Sequence, residues 1–277
     1  MTRALSRAAV AAAVLVLAGC GGSGKPAPSQ TGAGSRFYDQ YVALGDSFTA
    51  APLVGATGLD DPCLRSGVNY PHRLARVLSA TLFDRSCTGA DISNLVGGQR
   101  LLDDAEAPPQ LDAVTAGTDL VTVGIGGNPA AAQAWSQICP ALRASDPDGA
   151  PCREHFLEEG DGADLIAKVL RKERRQLVTV LKAVRERAPE ARVLVIGYPA
   201  IFPEKGHCPE RLALAKGDVA YARTTLDRLN RNLEQAAEKA GVEYVDVYAA
   251  TRGHDICSDD PWVQGRANDA GVALAYH

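Results

Sequence analysis

The chain has 277 residues, of which 46% are hydrophobic and 22% charged, with 33 Asp and Glu against 29 Lys and Arg and a formal net charge of −4. That length fits one large α/β domain better than two independent ones. The basic residues are scattered, or paired along helical stretches such as Arg171-Lys172-Glu173-Arg174-Arg175, and form no basic stripe, which argues against a nucleic-acid partner.

At the start of the chain, Arg3 and Arg7 precede the apolar run 8–17, and Leu17-Ala18-Gly19-Cys20 follows. A basic start, a short apolar stretch and small residues read as an export signal, too short to stay in a bilayer as a spanning helix. The small residues ahead of a cysteine resemble the lipobox of bacterial lipoproteins. That likeness implies removal of residues 1–19 and a diacylglyceryl group on Cys20, holding the protein on the extracytoplasmic face of the membrane. Each buried acyl CH₂ contributes roughly 0.8 kcal/mol, so two or three chains anchor firmly. An ordinary secretory signal, with the protein released, is the alternative. Residues 20–36 are Gly, Ser, Pro and Ala with almost no large apolar side chain, the composition of a flexible tether. The folded domain is expected over 37–277.

Within that domain, short apolar runs at 41–44, 81–84, 120–125, 192–196 and 243–247 predict five strands. Helical stretches are expected at 70–80, 130–138, 163–187 and 218–240. In 163–187, Leu165, Ile166, Val169, Leu170, Leu177, Val180, Leu181 and Val184 recur at helical spacing, with Lys and Arg on the opposite, solvated face. Near-continuous apolar strands alternating with amphipathic helices require a parallel sheet covered on both sides. The expected fold is therefore α/β, a three-layer α/β/α sandwich around a five-stranded parallel sheet. Segment 139–162 carries Pro, Gly and Asp without periodicity and reads as a loop bordering the pocket.

Seven cysteines are present. Apart from Cys20 they form an even set, Cys63, Cys87, Cys139, Cys152, Cys208 and Cys257, and an even set in an exported chain implies disulfides. Pairing of sequence neighbours is favoured among the possible connectivities, because each bridge then closes one loop region. No CxxC pair occurs and the histidines are remote from the cysteines, so neither a metal nor another cofactor is expected.

Ligands in open α/β sheets sit beyond the carboxyl ends of the strands. After the first strand comes Gly45-Asp46-Ser47-Phe48-Thr49, a tight turn presenting a serine. A serine after a turn is on its own most often a helix cap. The wider pattern resembles the SGNH (GDSL-like) hydrolases, and within them the secreted actinobacterial lipase and esterase branch. Residues 41–50 are similar to the first block of that family, Cys87-Thr88-Gly89-Ala90 to its second and Gly126-Gly127-Asn128 to its third. The likeness continues through Cys63-Leu64-Arg65-Ser66, Asn69-Tyr70-Pro71, His254-Asp255-Ile256-Cys257 and Pro261-Trp262-Val263, with the six cysteines placed as that branch places its three disulfides.

This resemblance implies a flavodoxin-like hydrolase fold and a serine esterase or lipase acting on lipid or short acyl esters at the cell envelope through an acyl-enzyme. Ser47 would be the nucleophile. The oxyanion hole would be the backbone N–H groups of Ser47 and Gly89 and the side-chain amide of Asn128. The third block departs from the family's usual Gly-Asn-Asp: Pro129 removes a backbone donor and restricts Asn128 to extended geometry. Of five histidines, only His277 occupies the family's base position. Leu274 stands where an acid is usual, so a main-chain carbonyl near it is expected to orient the imidazole. Family members continue beyond this point, so a truncated chain is expected. His254 is the second candidate base. Two other readings use the same residues: a catalytically impaired lipoprotein that binds a lipid or glycan, and an envelope acyltransferase.

Overall fold

In a computed structural model of the chain, residues 37–55, 60–101 and 104–265 are described, and all of them fall in the unit that begins at Phe37. The central sheet is parallel, with strands β1 (Gln40–Gly45), β2 (Thr81–Asp84), β5 (Leu120–Gly124), β6 (Arg192–Ile196) and β7 (Glu243–Val245) in the order β2-β1-β5-β6-β7. A two-stranded antiparallel ribbon, β3 (Gln99–Arg100) with β4 (Glu106–Ala107), lies outside it. The five-stranded parallel sheet expected from the apolar runs is therefore present.

Alternate side chains of each strand face opposite helical layers. Val42, Leu44, Val121, Val123, Val193 and Val195 point to one face, beneath α6 (Leu165–Arg187) and α7 (Asp218–Ala240), which pack on each other. Tyr41, Ala43 and Leu120 point to the other face, beneath α2 (Tyr70–Leu78). These layers make the α/β/α sandwich. β1 is buried at every residue after Gln40, which is why its sequence is apolar without alternation.

Both long helices carry clear end signals. The Asp164 carboxylate accepts from the Ala167 amide at 3.1 Å at the start of α6, and Pro189 follows its last turn. α7 ends on Gly241, at φ +68°, whose amide donates back to the carbonyls of Ala237 and Glu238. No helix among the described residues is long and apolar enough to cross a membrane.

Three disulfides join Cys63 to Cys87, Cys139 to Cys152 and Cys208 to Cys257, with Cα separations of 4.4, 4.9 and 5.6 Å. The stretch 139–162 corrects the reading of it as a loop. It contains α4 (Cys139–Leu142) and α5 (Pro151–Glu158), each with a proline in its first turn, where the missing N–H costs nothing. Asp218 of α7 accepts from the amides of Cys152 and Arg153 at 3.0 and 2.9 Å and so caps α5 from a neighbouring helix. Helices this short have too few turns to display a period. The helix expected at 130–138 is α3 (Ala130–Gln133) running into a wider π-type turn, Ala134–Ile138.

Leu181 of α6 is wholly buried in the larger core, whereas Val77 of α2 is 82% exposed. Leu181→Ala is expected to lower unfolding stability by about 2–5 kcal/mol, and Val77→Ala to stay within about 0.5 kcal/mol of the parent, as read from urea midpoints at constant slope.

Candidate active site

In a doubly wound sheet the binding crevice opens where the strand order reverses. β1 is flanked by its successor β2 on one side and by β5 on the other, so the reversal falls between β1 and β5. Their last residues, Gly45 and Gly124, are paired directly.

Beyond β1 the chain turns at once into the short helix α1 (Ser47–Ala50). Asp46 is its N-cap: Oδ1 accepts from the Phe48 amide at 3.0 Å, and its own amide donates to the Gly124 carbonyl at 3.0 Å. A Cβ on Gly45 would stand 2.1 Å from Thr49 Oγ1 and 2.6 Å from the Gly124 carbonyl oxygen, so the turn closes only with glycine there. The buried side chain of Gln110, in the 3₁₀ turn Gln110–Ala113, brackets the same residue. Its Oε1 accepts from the Gly45 amide at 2.8 Å, and its Nε2 donates to the Gly45 carbonyl at 3.0 Å. Ser47 is thereby fixed as the first residue of a helix, nearly buried at 9% exposure.

Beyond β2, the Cys87 amide donates to the Gly45 carbonyl at 3.0 Å, which ties the second turn to the first. Gly89 follows at φ +80°. A Cβ there would meet only Gln99 Nε2, at 3.7 Å, so glycine answers a demand of the backbone rather than of space. No backbone carbonyl among the described residues accepts from the Ser47 or Gly89 amide.

Beyond β5, Asn128 leads into Pro129 through a cis peptide bond, and Pro129 is the N-cap of α3. Asn128 Nδ2 donates to the Ala90 carbonyl at 3.0 Å, which joins the third turn to the one holding Gly89. An amide nitrogen carries two protons, so one N–H remains for a ligand. Ser47, Gly89 and Asn128 therefore lie on three turns bonded to one another at one end of the sheet.

The described histidines are engaged elsewhere. His254 Nδ1 lies 2.8 Å from the Asp260 carbonyl, and its ring stacks on Trp262 at 3.8 Å and 11°. Ring nitrogens of His72 and His207 pair with Asn69 Oδ1 at 2.8 Å and the Leu214 carbonyl at 2.9 Å, and His155 packs edge-on to Phe156. His277, Leu274 and Cys20 lie outside the described residues. Among the described residues no group of three or more His, Cys, Asp or Glu could hold a metal ion.

Two supporting residues were not legible beforehand. Gln110 follows a Pro-Pro pair with no periodic signal. Tyr198, in Gly197-Tyr198-Pro199, stands just beyond β6, where a crevice residue belongs, but its neighbours form no motif that singles it out. Its hydroxyl accepts from the Gly127 amide at 2.8 Å and donates to Asp46 Oδ2.

An apolar groove of about 460 Å³ begins at Phe48 and Thr49 and runs over the sheet face past Tyr70, Ile196, Val245 and Trp262. No residue of 139–162 lines it. A charged cavity of about 520 Å³, between α7 and β7, contains none of the three turns, and we assign it no part in the site.

A parallel sheet with this strand order, covered by helices on both faces, defines a doubly wound α/β fold, with a serine, a glycine turn and an amide at its crevice. Residues 43–277 match the GDSL-like lipase/acylhydrolase family. The chain is 38% identical to Lipase 2 of Streptomyces coelicolor over 78% of this chain and 72% of that one. It is 31% identical to an esterase of Streptomyces scabiei over 99% and 87%. Among solved structures, phospholipase A1 from Streptomyces albidoflavus superposes with a TM-score of 0.70 at 27% identity, covering 87% of this chain and 92% of that one. The extracellular lipase of Streptomyces rimosus gives 0.66 at 26%, covering 86% and 92%. The chain belongs to the GDSL-like lipase/acylhydrolase family and is a carboxylic ester hydrolase.

Burial pushes the Asp46 carboxyl up to about 6, against the opposing pull of its hydrogen bonds from Tyr198 and Phe48. An acid raised in the folded state adds stability that is complete below its unfolded value and is lost as pH rises through the folded one. The stability of the parent relative to Asp46→Asn is therefore expected to fall between about pH 4 and pH 6 and to stay level above that. Urea unfolding across that range is the measurement, and a flat difference would show Asp46 ionising without hindrance.

Proposed function

We propose that the chain hydrolyses carboxylic esters of lipids or short acyl groups through an acyl-enzyme on Ser47. The observation that carries this reading is the bond between the Asn128 amide and the turn of Gly89, which gathers donors from three strand ends beside one serine. Ser47 Oγ attacks the acyl carbonyl carbon as its proton passes to the imidazole of His277. The oxyanion forms against the N–H groups of Ser47 and Gly89 and the free N–H of Asn128, donors already in place and needing no reorganisation. Collapse expels the alcohol, which takes the proton from His277. Water then enters by the same route, His277 removes its proton, and the acid leaves with Ser47 restored. In this reading a main-chain carbonyl near Leu274, which like His277 lies outside the described residues, would hold the imidazole in the tautomer that accepts from serine, the part a carboxylate plays elsewhere.

The related proteins are named as lipases, an esterase and a phospholipase A1, and the groove beside Phe48 is apolar, both of which support an acyl ester of lipid type. The extracellular lipase among the related structures supports export, and the leader pattern Leu17-Ala18-Gly19-Cys20 alone supports a diacylglyceryl anchor on Cys20.

Ser47→Ala is expected to abolish both p-nitrophenyl ester turnover and labelling by a fluorophosphonate, while Asn128→Ala lowers turnover by ~10²–10³. His277→Ala should reduce labelling and turnover together. Equal background rates in all four proteins would overturn the reading. Growth with a clickable fatty acid should label the full-length chain and leave Cys20→Ala unlabelled; label on both, or on neither, rules out the anchor.

A further inference from the structure

Tyr198 is held more tightly than a packing residue requires. Its backbone is gripped by Asn230 of α7, whose Oδ1 accepts from the Tyr198 amide at 2.8 Å and whose Nδ2 donates to its carbonyl at 3.1 Å. Its ring is buried and meets Phe48 edge-on, with centroids 4.9 Å apart and planes at 84°. Those contacts fix where the hydroxyl lies.

A phenol has one proton and two lone pairs. Here the proton goes to Asp46 Oδ2, and the oxygen receives the Gly127 N–H at 2.8 Å. The two partners are the residue immediately before Ser47 and the residue immediately before Asn128. One oxygen thus spans the crevice from the turn after β1 to the turn after β5, reaching in from the turn after β6. No donor to the Asp46 carboxylate is a cation: the Phe48 amide and this phenol bond it, and the Gly127 and Asp46 amides also act on it. The other titratable groups facing the pair are Tyr70 from α2 and Glu173 from α6. Phenylalanine would fill the same space and remove both the proton given to Asp46 Oδ2 and the oxygen that accepts the Gly127 N–H, breaking the bridge between the two turns.

We propose that Tyr198 is a positioning residue for ester cleavage: its hydroxyl, shared between Asp46 and Gly127, sets the separation of the Ser47 nucleophile and the Asn128 donor. The proposal rests on the ester-hydrolase reading above. It differs from a packing role in what it predicts. Attack geometry is sensitive to displacements of about 1 Å, which can cost on the order of 10²-fold in rate. Because the hydroxyl is engaged with Asp46 and Gly127, while Tyr198 also helps line the apolar groove, loss of the hydroxyl alone is felt in kcat more than in KM.

The test is steady-state hydrolysis of p-nitrophenyl butyrate by the full chain, its Tyr198→Phe variant, Asn128→Ala and the double variant. Tyr198→Phe is expected to lower kcat by roughly 10–100-fold with KM within about 2-fold. In the Asn128→Ala background the same change should cost far less, since groups acting as a unit are not additive. Amide exchange at Gly127 should quicken in Tyr198→Phe. Should that variant not fold, Asp46→Asn tests the same bond from its other end, because it sets an amide N–H against one of two donors, and it is expected to show the same kcat loss at constant KM. Parent-like kcat, a loss confined to KM, additive effects in the double variant or unchanged exchange at Gly127 would each overturn the proposal. A parent chain with no turnover would instead refute the ester-hydrolase reading, and Gly127 exchange would still report on the bond.

Discussion

The close approach of Gly45 and Gly124 governs the rest of the site. These two residues end adjacent parallel strands, and Thr49 of α1 lies over both, with its Oγ1 donating to the Gly124 carbonyl at 3.2 Å. A Cβ on Gly124 would stand 2.6 Å from that hydroxyl, and one on Gly45 nearer still. The first turn of α1 can therefore sit directly on the sheet edge, and Ser47 emerges at the reversal of strand order. Any side chain at either glycine would lift the helix and carry Ser47 away from the turns of Gly89 and Asn128.

That close seating has an electrostatic consequence. Asp46, the cap that starts α1, is taken fully out of water, and desolvation outweighs its hydrogen bonds. Burying an acid is tolerated because its donors are fixed by other elements: α1 supplies the Phe48 amide, and α7, through Asn230, holds the phenol. The same phenol is pushed well above its ordinary value by burial and by the neighbouring carboxylate, so it stays protonated and able to donate. The polar network under the serine depends for its geometry on packing between α7 and β6, far along the chain from Ser47.

How much of this was legible varies by scale. β1 and β5 were readable because they are buried on both faces and so appear as unbroken apolar runs, Val42-Ala43-Leu44 and Leu120-Val121, and the more exposed β2, β6 and β7 were readable from short runs such as Val193-Leu194-Val195. The long helices were readable because 23 residues display several periods. Short α4 and α5 were not, since their ends are set by Pro140, Pro151 and a cap lent by Asp218 from a distant helix. Ser47, Gly89 and Asn128 could be picked out because the turns that carry them resemble blocks of a known family, and such blocks are local in sequence. Gln110 and Tyr198 could not, because their roles are contacts between elements 65 and 152 residues apart in sequence.

The same division separates what must be constant from what can vary. The turns under Ser47 are tied mostly by backbone groups: Asp46 to Gly124, Cys87 to Gly45, Thr88 to Cys63 and Ser66 to Ala50. Backbone bonds do not depend on which side chains the loops carry. The loop from Asp60 to Asn69, which leads away from the site, is braced instead by its own side chains, with Arg65 forked on Asp61 at 2.8 and 2.9 Å, Asn69 on Asp84 at 2.8 Å and the Cys63–Cys87 bridge at its base. Such a loop keeps its own shape and meets the turns through Cys63 and Ser66, by backbone bonds with Thr88 and Ala50 and by the Cys63–Cys87 bridge. Residues on its outer surface can therefore vary while the turns that carry Ser47, Gly89 and Asn128 stay where the sheet places them.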